Sequence, residues 1–251
     1  MADTPTSSRL HVLKAVEDGW AAFTKAPWPF ILFTLLWGAL STLFQLIGNL
    51  GSASANGSNL NAGGIILGII CLVGITIINL WGVIGLIRGA WIALNGERPS
   101  FSDFTRWDAA AAGRLFLRQI VLIILILLIV LAALVVGFGL GQINQMLWLI
   151  PSLIAFVIFV YLSVNQKFLP FVALFESPDP LQTIQRGRDV VDPSWWWVVL
   201  LIIVESLILA IGALLCGIGL LVAGPVVGCI ATAAYRQLFG AEDQTGLISG
   251  N

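Results

Sequence analysis

The chain has 251 residues, 59% hydrophobic and 10% charged, with 12 basic and 13 acidic side chains and a formal net charge of -1. An ordinary soluble domain carries about 25% charged residues, so this chain cannot cover itself with polar groups, and lipid must be its solvent. The balanced charge excludes an overall electrostatic footprint for nucleic acid, and no polar stretch is long enough for a separate soluble core.

Residues 8–25 place Leu10, Leu13, Val16, Trp20 and Phe23 at helical spacing, with Arg9, Lys14, Glu17, Asp18 and Lys25 between them. The pattern predicts an amphipathic helix, opened near Thr6-Ser7-Ser8, lying along the membrane surface. His11 is the one histidine and sits on the polar face. The segment lacks the continuous apolar core and small-residue cleavage site of a secretory signal. The first apolar run is therefore expected to stay as an anchor.

A bilayer core of about 30 Å takes roughly 20 helical residues. Apolar runs at about 28–50, 64–94, 115–140 and 146–175 meet that length, and a last run at about 195–239 exceeds it. Within that last run, Cys216-Gly217-Ile218-Gly219 offers two glycines for a reversal, which splits it into spans at about 195–215 and 219–239. The expected fold is all-α: a polytopic membrane helix bundle of six transmembrane helices in three hairpins, with short cytoplasmic surface helices. Its parts are an N-terminal amphipathic helix over 1–27, a membrane domain over 28–239 with hairpins at about 28–94, 115–175 and 195–239, and a polar tail over 240–251. Pro225 lies early in the sixth span, where it can kink a helix or occupy a first turn. Five spans, one of them long and kinked, is the alternative.

An even count puts both termini on one side with segments 95–114 and 176–194, and every Lys and Arg falls in or beside these four stretches. The opposite segments, at about 51–63, 138–146 and near 217, contain no charge. By the positive-inside rule the charged face and both termini are cytoplasmic. Arg88, Arg118, Lys167 and Arg236 lie within a few turns of it, where long side chains can snorkel to water. Trp28, Trp107 and Trp195-Trp196-Trp197 cluster at the same face and, with Trp20, Phe23 and Lys25, are candidate membrane-surface anchors.

A polar or amphipathic stretch precedes each hairpin, at 8–25, 100–118 and 178–194, which suggests three parallel repeats. Ser100-Phe101-Ser102-Asp103 and Ser177-Pro178-Asp179-Pro180 both look like helix starts. Three motif regions then carry a resemblance: Gly19-Trp20-Ala21-Ala22-Phe23-Thr24-Lys25, residues 88–101 (RGAWIALNGERPSF), and Leu215-Cys216-Gly217-Ile218-Gly219-Leu220-Leu221-Val222 with Ala234-Tyr235-Arg236. Together they resemble a family of prokaryotic integral membrane proteins similar to the membrane domain of glycerophosphoryl diester phosphodiesterases. The resemblance implies a six-span unit in a prokaryotic cell membrane, the inner membrane being the expected site. The chain departs from the enzyme version in lacking the soluble phosphodiesterase domain and its acidic and histidine metal ligands, so hydrolysis does not carry over.

Glu205 lies about ten residues into the fifth span, roughly 15 Å from its cytoplasmic start. A charged carboxylate in a membrane interior costs about 2.5 kcal/mol or more, so it must be protonated, paired or facing water. Asn79 is a candidate hydrogen-bond partner, Arg88 a less favoured ionic one, and Asn165 and Lys167 could extend a polar path to the cytoplasm. The site is either a proton- or cation-responsive group or a neutral cross-link between helices.

Cys71, Cys216 and Cys229 stand singly in apolar segments and form no CxxC or Cys/His cluster, so no metal or disulfide framework is indicated. Gly64 to Gly68, Gly137-Phe138-Gly139-Leu140-Gly141 and Gly224 to Gly228 permit close helix packing, within the bundle or in a homo-oligomer. Asn56-Gly57-Ser58 is a glycosylation sequon that matters only in a glycosylating secretory pathway. No nucleophile–base constellation or cofactor motif can be assembled, so neither catalysis nor a cofactor is expected. The leading expectation is a non-enzymatic protein that organises membrane lipids or other membrane proteins through its cytoplasmic face. The alternative is a small transporter or channel running past Asn79 and Glu205.

Overall fold

The computed structural model describes residues 10–55, 62–176, 179–215 and 217–248. Thr6-Ser7-Ser8, Arg9, the Asn56-Gly57-Ser58 sequon, Ser177-Pro178 and Cys216 lie outside the described residues. Among the described residues ten α-helices run in order: α1 (Val12–Lys25), α2 (Pro27–Ala55), α3 (Ala62–Leu94), α4 (Phe101–Thr105), α5 (Ala109–Gly141), α6 (Leu149–Asn165), α7 (Leu169–Phe175), α8 (Pro180–Val191), α9 (Trp195–Leu214) and α10 (Leu220–Phe239). There are no strands among the described residues, and six helical stretches are long and apolar enough to cross a membrane.

Local chemistry sets the boundaries. The Asp103 carboxylate accepts from both the Ser100 N–H (2.8 Å) and its hydroxyl (2.7 Å), which opens α4. α5 begins six residues before the apolar run, because the Asp108 carboxylate accepts from the Ala111 N–H at 2.8 Å and the alanines that follow are strong helix formers. Gly217 turns between α9 and α10 at φ 79°, as the paired glycines predict.

The fourth apolar run is not one helix reaching residue 175. α6 stops at Asn165, three residues form tight turns, and α7 starts afresh with Pro170 in its first turn. Pro170 has no N–H with which to continue the ladder of α6, but that absence costs nothing in a first turn. The break swings α7 into the protein, where Leu169 and residues 171–175 are all buried.

α10 is the central helix, packed against α1, α2, α3 and α9. Its C-terminal end carries Tyr235, which stacks on Phe171 at 5.2 Å and Phe239 at 4.8 Å, while Trp91 stacks on Phe175 at 4.0 Å. Residues 240–248 are not a free tail. Gln244 N–H donates to the Phe175 carbonyl, the Arg106 guanidinium to the Leu247 carbonyl, and Leu247 is buried.

α1 also departs from expectation. Its predicted stripe of Leu10, Leu13, Val16, Trp20 and Phe23 is divided, since the face against the protein is Val12, Ala15, Gly19, Ala22 and Phe23. Leu13 is 80% exposed and Trp20 53%. Small residues won the interface because α1 approaches α10 closely enough that a Cβ on Gly19 would lie 2.6 Å from the Ile230 backbone nitrogen.

The hairpins differ in reach. α3 and α5 each have 33 residues, about 50 Å, whereas α9 and α10 have 20, about 30 Å. Gly224 of α10 lies beside Thr34, only seven residues into α2. The turn of the third hairpin therefore sits alongside the middle of α2, while α2 and α3 run on together past the Gly48–Cys71 contact. Of the small-residue spacings, Gly228 packs tightly on Leu86 and Gly137 on the Trp148 carbonyl, but Gly68 and Gly139 have open space beside them.

Candidate functional site

Much of the polar interior lies at the end of the bundle that carries both termini, in two clusters that the helix ends and short helices assemble. The first forms at the α6–α7 break. Residues 165–167 form the polar triplet Asn165-Gln166-Lys167, and turning there points Lys167 at α9, where its Nζ donates to Glu205 Oε2 at 2.5 Å. The Glu205 side chain is 4% exposed and Oε1 has no hydrogen-bond partner. Asn165 Nδ2 donates to Asp192 Oδ1 at 2.9 Å, the Tyr161 hydroxyl to the same oxygen at 2.8 Å, and Gln166 Nε2 to the Ile184 carbonyl. A polar seam thus joins α6, α8 and the start of α9.

Neither proposed partner of Glu205 occupies that role. Asn79 is exposed on α3, facing away from the core. Arg88 is buried to 1% but belongs to the second cluster, where its Nη1 donates to the carbonyls of Arg106 (2.8 Å) and Asp103 (3.4 Å), and its Nη2 stands 3.9 Å from Asp108. Arg88 therefore does not snorkel to water. It pins the α4–α5 connection onto α3, with Gly89 leaving room for the Phe104 ring. Asn165 and Lys167, expected to extend a polar path, bond instead to Asp192 and to Glu205 itself. The sequence signal for this was Pro170 just after a polar triplet at the end of an apolar run; no local signal pointed to Asp192 or Tyr161.

A buried ion pair contributes little net stability, but removing one partner costs about 3–5 kcal/mol because a charge is left uncompensated. The Lys167–Glu205 pair therefore fixes the α6–α7 break against α9. No His, Cys, Asp or Glu group of metal-holding geometry occurs among the described residues.

The surface around these clusters is also defined. Trp20, Trp28, Trp107, Trp196 and Trp197 are exposed, and Trp195 is half-buried against Trp196 at 4.8 Å. Phe23, expected as a surface anchor, is instead in the core, 5.8 Å from Phe30. Lys25 donates to the Ala93 carbonyl at 2.9 Å and so ties the end of α1 to the end of α3. Beside it a cavity of about 440 Å³ opens between α1, α3 and α10. Three further cavities lie between α5 and α6 and are lined mainly by apolar side chains such as Leu134, Phe156 and Ile158.

Six apolar helices beneath a packed polar cap define an all-α integral membrane protein with multiple spans. No known protein family, curated protein or solved structure matches the chain.

Proposed function

We propose that the chain is a non-enzymatic membrane organiser, acting on lipids or partner proteins through a cytoplasmic cap built from α1, α4, α7, α8 and the C-terminal segment. One observation carries this reading. α1 already buries a complete face against α10, yet it leaves Leu13 and Trp20, seven residues apart and so on one side of the helix, uncovered. An apolar edge that the fold does not use, next to Lys14 and close to the exposed Trp28, fits an interfacial anchor or a docking edge. The resemblance to a membrane unit that can accompany a separate catalytic domain agrees with an organising role.

A transport path is less well supported, since Asn79 faces outward and Glu205 is held in an ion pair with Lys167. A photoreactive amino acid at position 13 or 20 in intact membranes tests the reading. Adducts with lipid or with one recurrent protein are expected there and not from the exposed polar position 97, in the connection after α3. Equal yields at all three positions would refute it. Ion or proton flux in liposomes that Glu205→Gln abolishes would make the protein a transporter instead.

A further inference from the structure

We propose that the cavity between α1 and the cytoplasmic ends of α3 and α10 binds the phosphate of an anionic phospholipid headgroup, an inference that rests on the organiser reading and names its ligand class. The cavity measures about 440 Å³ and its lining includes Lys14, Asp18, Lys25, Leu94, Arg236 and Gln237, a volume within the range of small-molecule sites. Three cations face one carboxylate there. The C-terminal ends of α1, α3 and α10 oppose an anion by about half a charge each, and Lys25, in the last turn of α1, offsets part of that by donating to the Ala93 carbonyl. The cations remain in excess.

The donors are also held in place. The Arg236 guanidinium lies over the Trp91 ring at 5.0 Å, which fixes its plane, and its Nη1 is buried with no hydrogen-bond partner. An ammonium has three N–H donors, so Lys25 keeps two after its bond to Ala93. A flat, oriented guanidinium beside two ammonium groups matches the several acceptor oxygens of a phosphate.

Depth selects a lipid as the source of that phosphate. Lys25 stands two residues before the start of α2, the first apolar span, and the exposed Trp20 and Trp28 flank it on either side. Tryptophan side chains prefer the headgroup level. A phospholipid with its chains along α2 would present its phosphate to this cavity without leaving the bilayer.

The test is native mass spectrometry of the full-length protein released from vesicles of phosphatidylglycerol and phosphatidylcholine in equal parts. Phosphatidylglycerol should be retained selectively. Lys14→Gln, at an exposed side chain that leaves the fold alone, should weaken retention about fivefold, as loss of one interfacial cation implies. Asp18→Asn, which removes the opposing charge, should strengthen it by a similar factor. Arg236→Lys keeps the charge but loses the planar fork and should also weaken it.

Equal retention of the two lipids, or Lys14→Gln and Asp18→Asn both matching the wild type, would overturn the proposal. So would displacement of the lipid by soluble glycerol 3-phosphate at equal concentration, because a free phosphate would then be the ligand. Failure here with the crosslinks from positions 13 and 20 intact would remove the headgroup site and leave the organiser reading standing.

Discussion

Gly19→Ala is the smallest change that should separate α1 from the bundle. The added Cβ would meet Ile230 N and Cγ1 at 2.6 Å and Ile230 Cα at 2.7 Å. Two of these atoms belong to the backbone of α10, which is held on its other sides by α2, α3 and α9, so no side-chain rotation relieves the clash. Ordinary carbon contacts lie near 3.5–4.0 Å, so α1 must withdraw by about 1 Å. Such overpacking costs about 1–3 kcal/mol, a loss of roughly 2–12 °C in melting temperature for a chain of this size. Phe23, Ala22 and Val12 would lose their contacts as α1 lifts. The assay is thermal unfolding in detergent alongside limited trypsin digestion, with new cleavage expected at Lys14 and Lys25. Gly38→Ala and Gly113→Ala are matched controls, since nothing lies within 4 Å of either site, and each should be neutral or stabilising by up to about 1 kcal/mol. If all three variants melt alike and resist trypsin alike, the close α1–α10 packing is refuted.

Three other expectations follow from the buried polar groups and the turns. Lys167→Met should destabilise by about 3–5 kcal/mol by orphaning Glu205, and Lys167→Met with Glu205→Leu should recover most of that loss in chemical unfolding; equal single and double variants would refute a structural pair. Arg88→Lys should destabilise nearly as much as Arg88→Met, because one ammonium cannot reach both carbonyls that the guanidinium bridges; full rescue by lysine in the same unfolding assay would refute the bridge. Ile143→Cys, in the exposed turn between α5 and α6, should react with a water-soluble maleimide added from the side opposite the termini, whereas Ile218→Cys should not, since its turn is apolar and lies beside the middle of α2. Rapid labelling at position 218 would show that the third hairpin reaches water.

Much of the architecture was legible because lipid imposes simple rules. The apolar runs, the charge asymmetry and the glycine reversal at 217 needed only length, hydropathy and backbone permissiveness. Misreadings came where tertiary packing decided. Hydropathy could not separate α7 from α6, since a buried helix inside the protein is as apolar as one in lipid; only Pro170 hinted at the break. The stripe of α1 was read by side-chain size, yet the interface selected Ala15, Gly19 and Ala22 because two backbones had to approach closely. Glu205 stands out in the sequence as a carboxylate that must be protonated, paired or facing water. Its pairing with Lys167 was hidden because a continuous helix through 167 would have aimed that lysine elsewhere. Arg88 looked like a snorkelling side chain by its distance from the helix end, but α4 folds back over it and supplies carbonyls in place of water.

The uncovered edge of α1 is proposed to gather lipids or partners at the charged face. Its most direct test is to excise wild-type protein and a Leu13→Ser, Trp20→Ser variant from native membranes in polymer-bounded discs, and to compare the lipids and proteins that accompany each. These substitutions lie on the side of α1 that does not touch α10, so the fold should persist. A set enriched with the wild type over bulk membrane and lost with the variant is expected. Identical inventories from two equally folded proteins would contradict it.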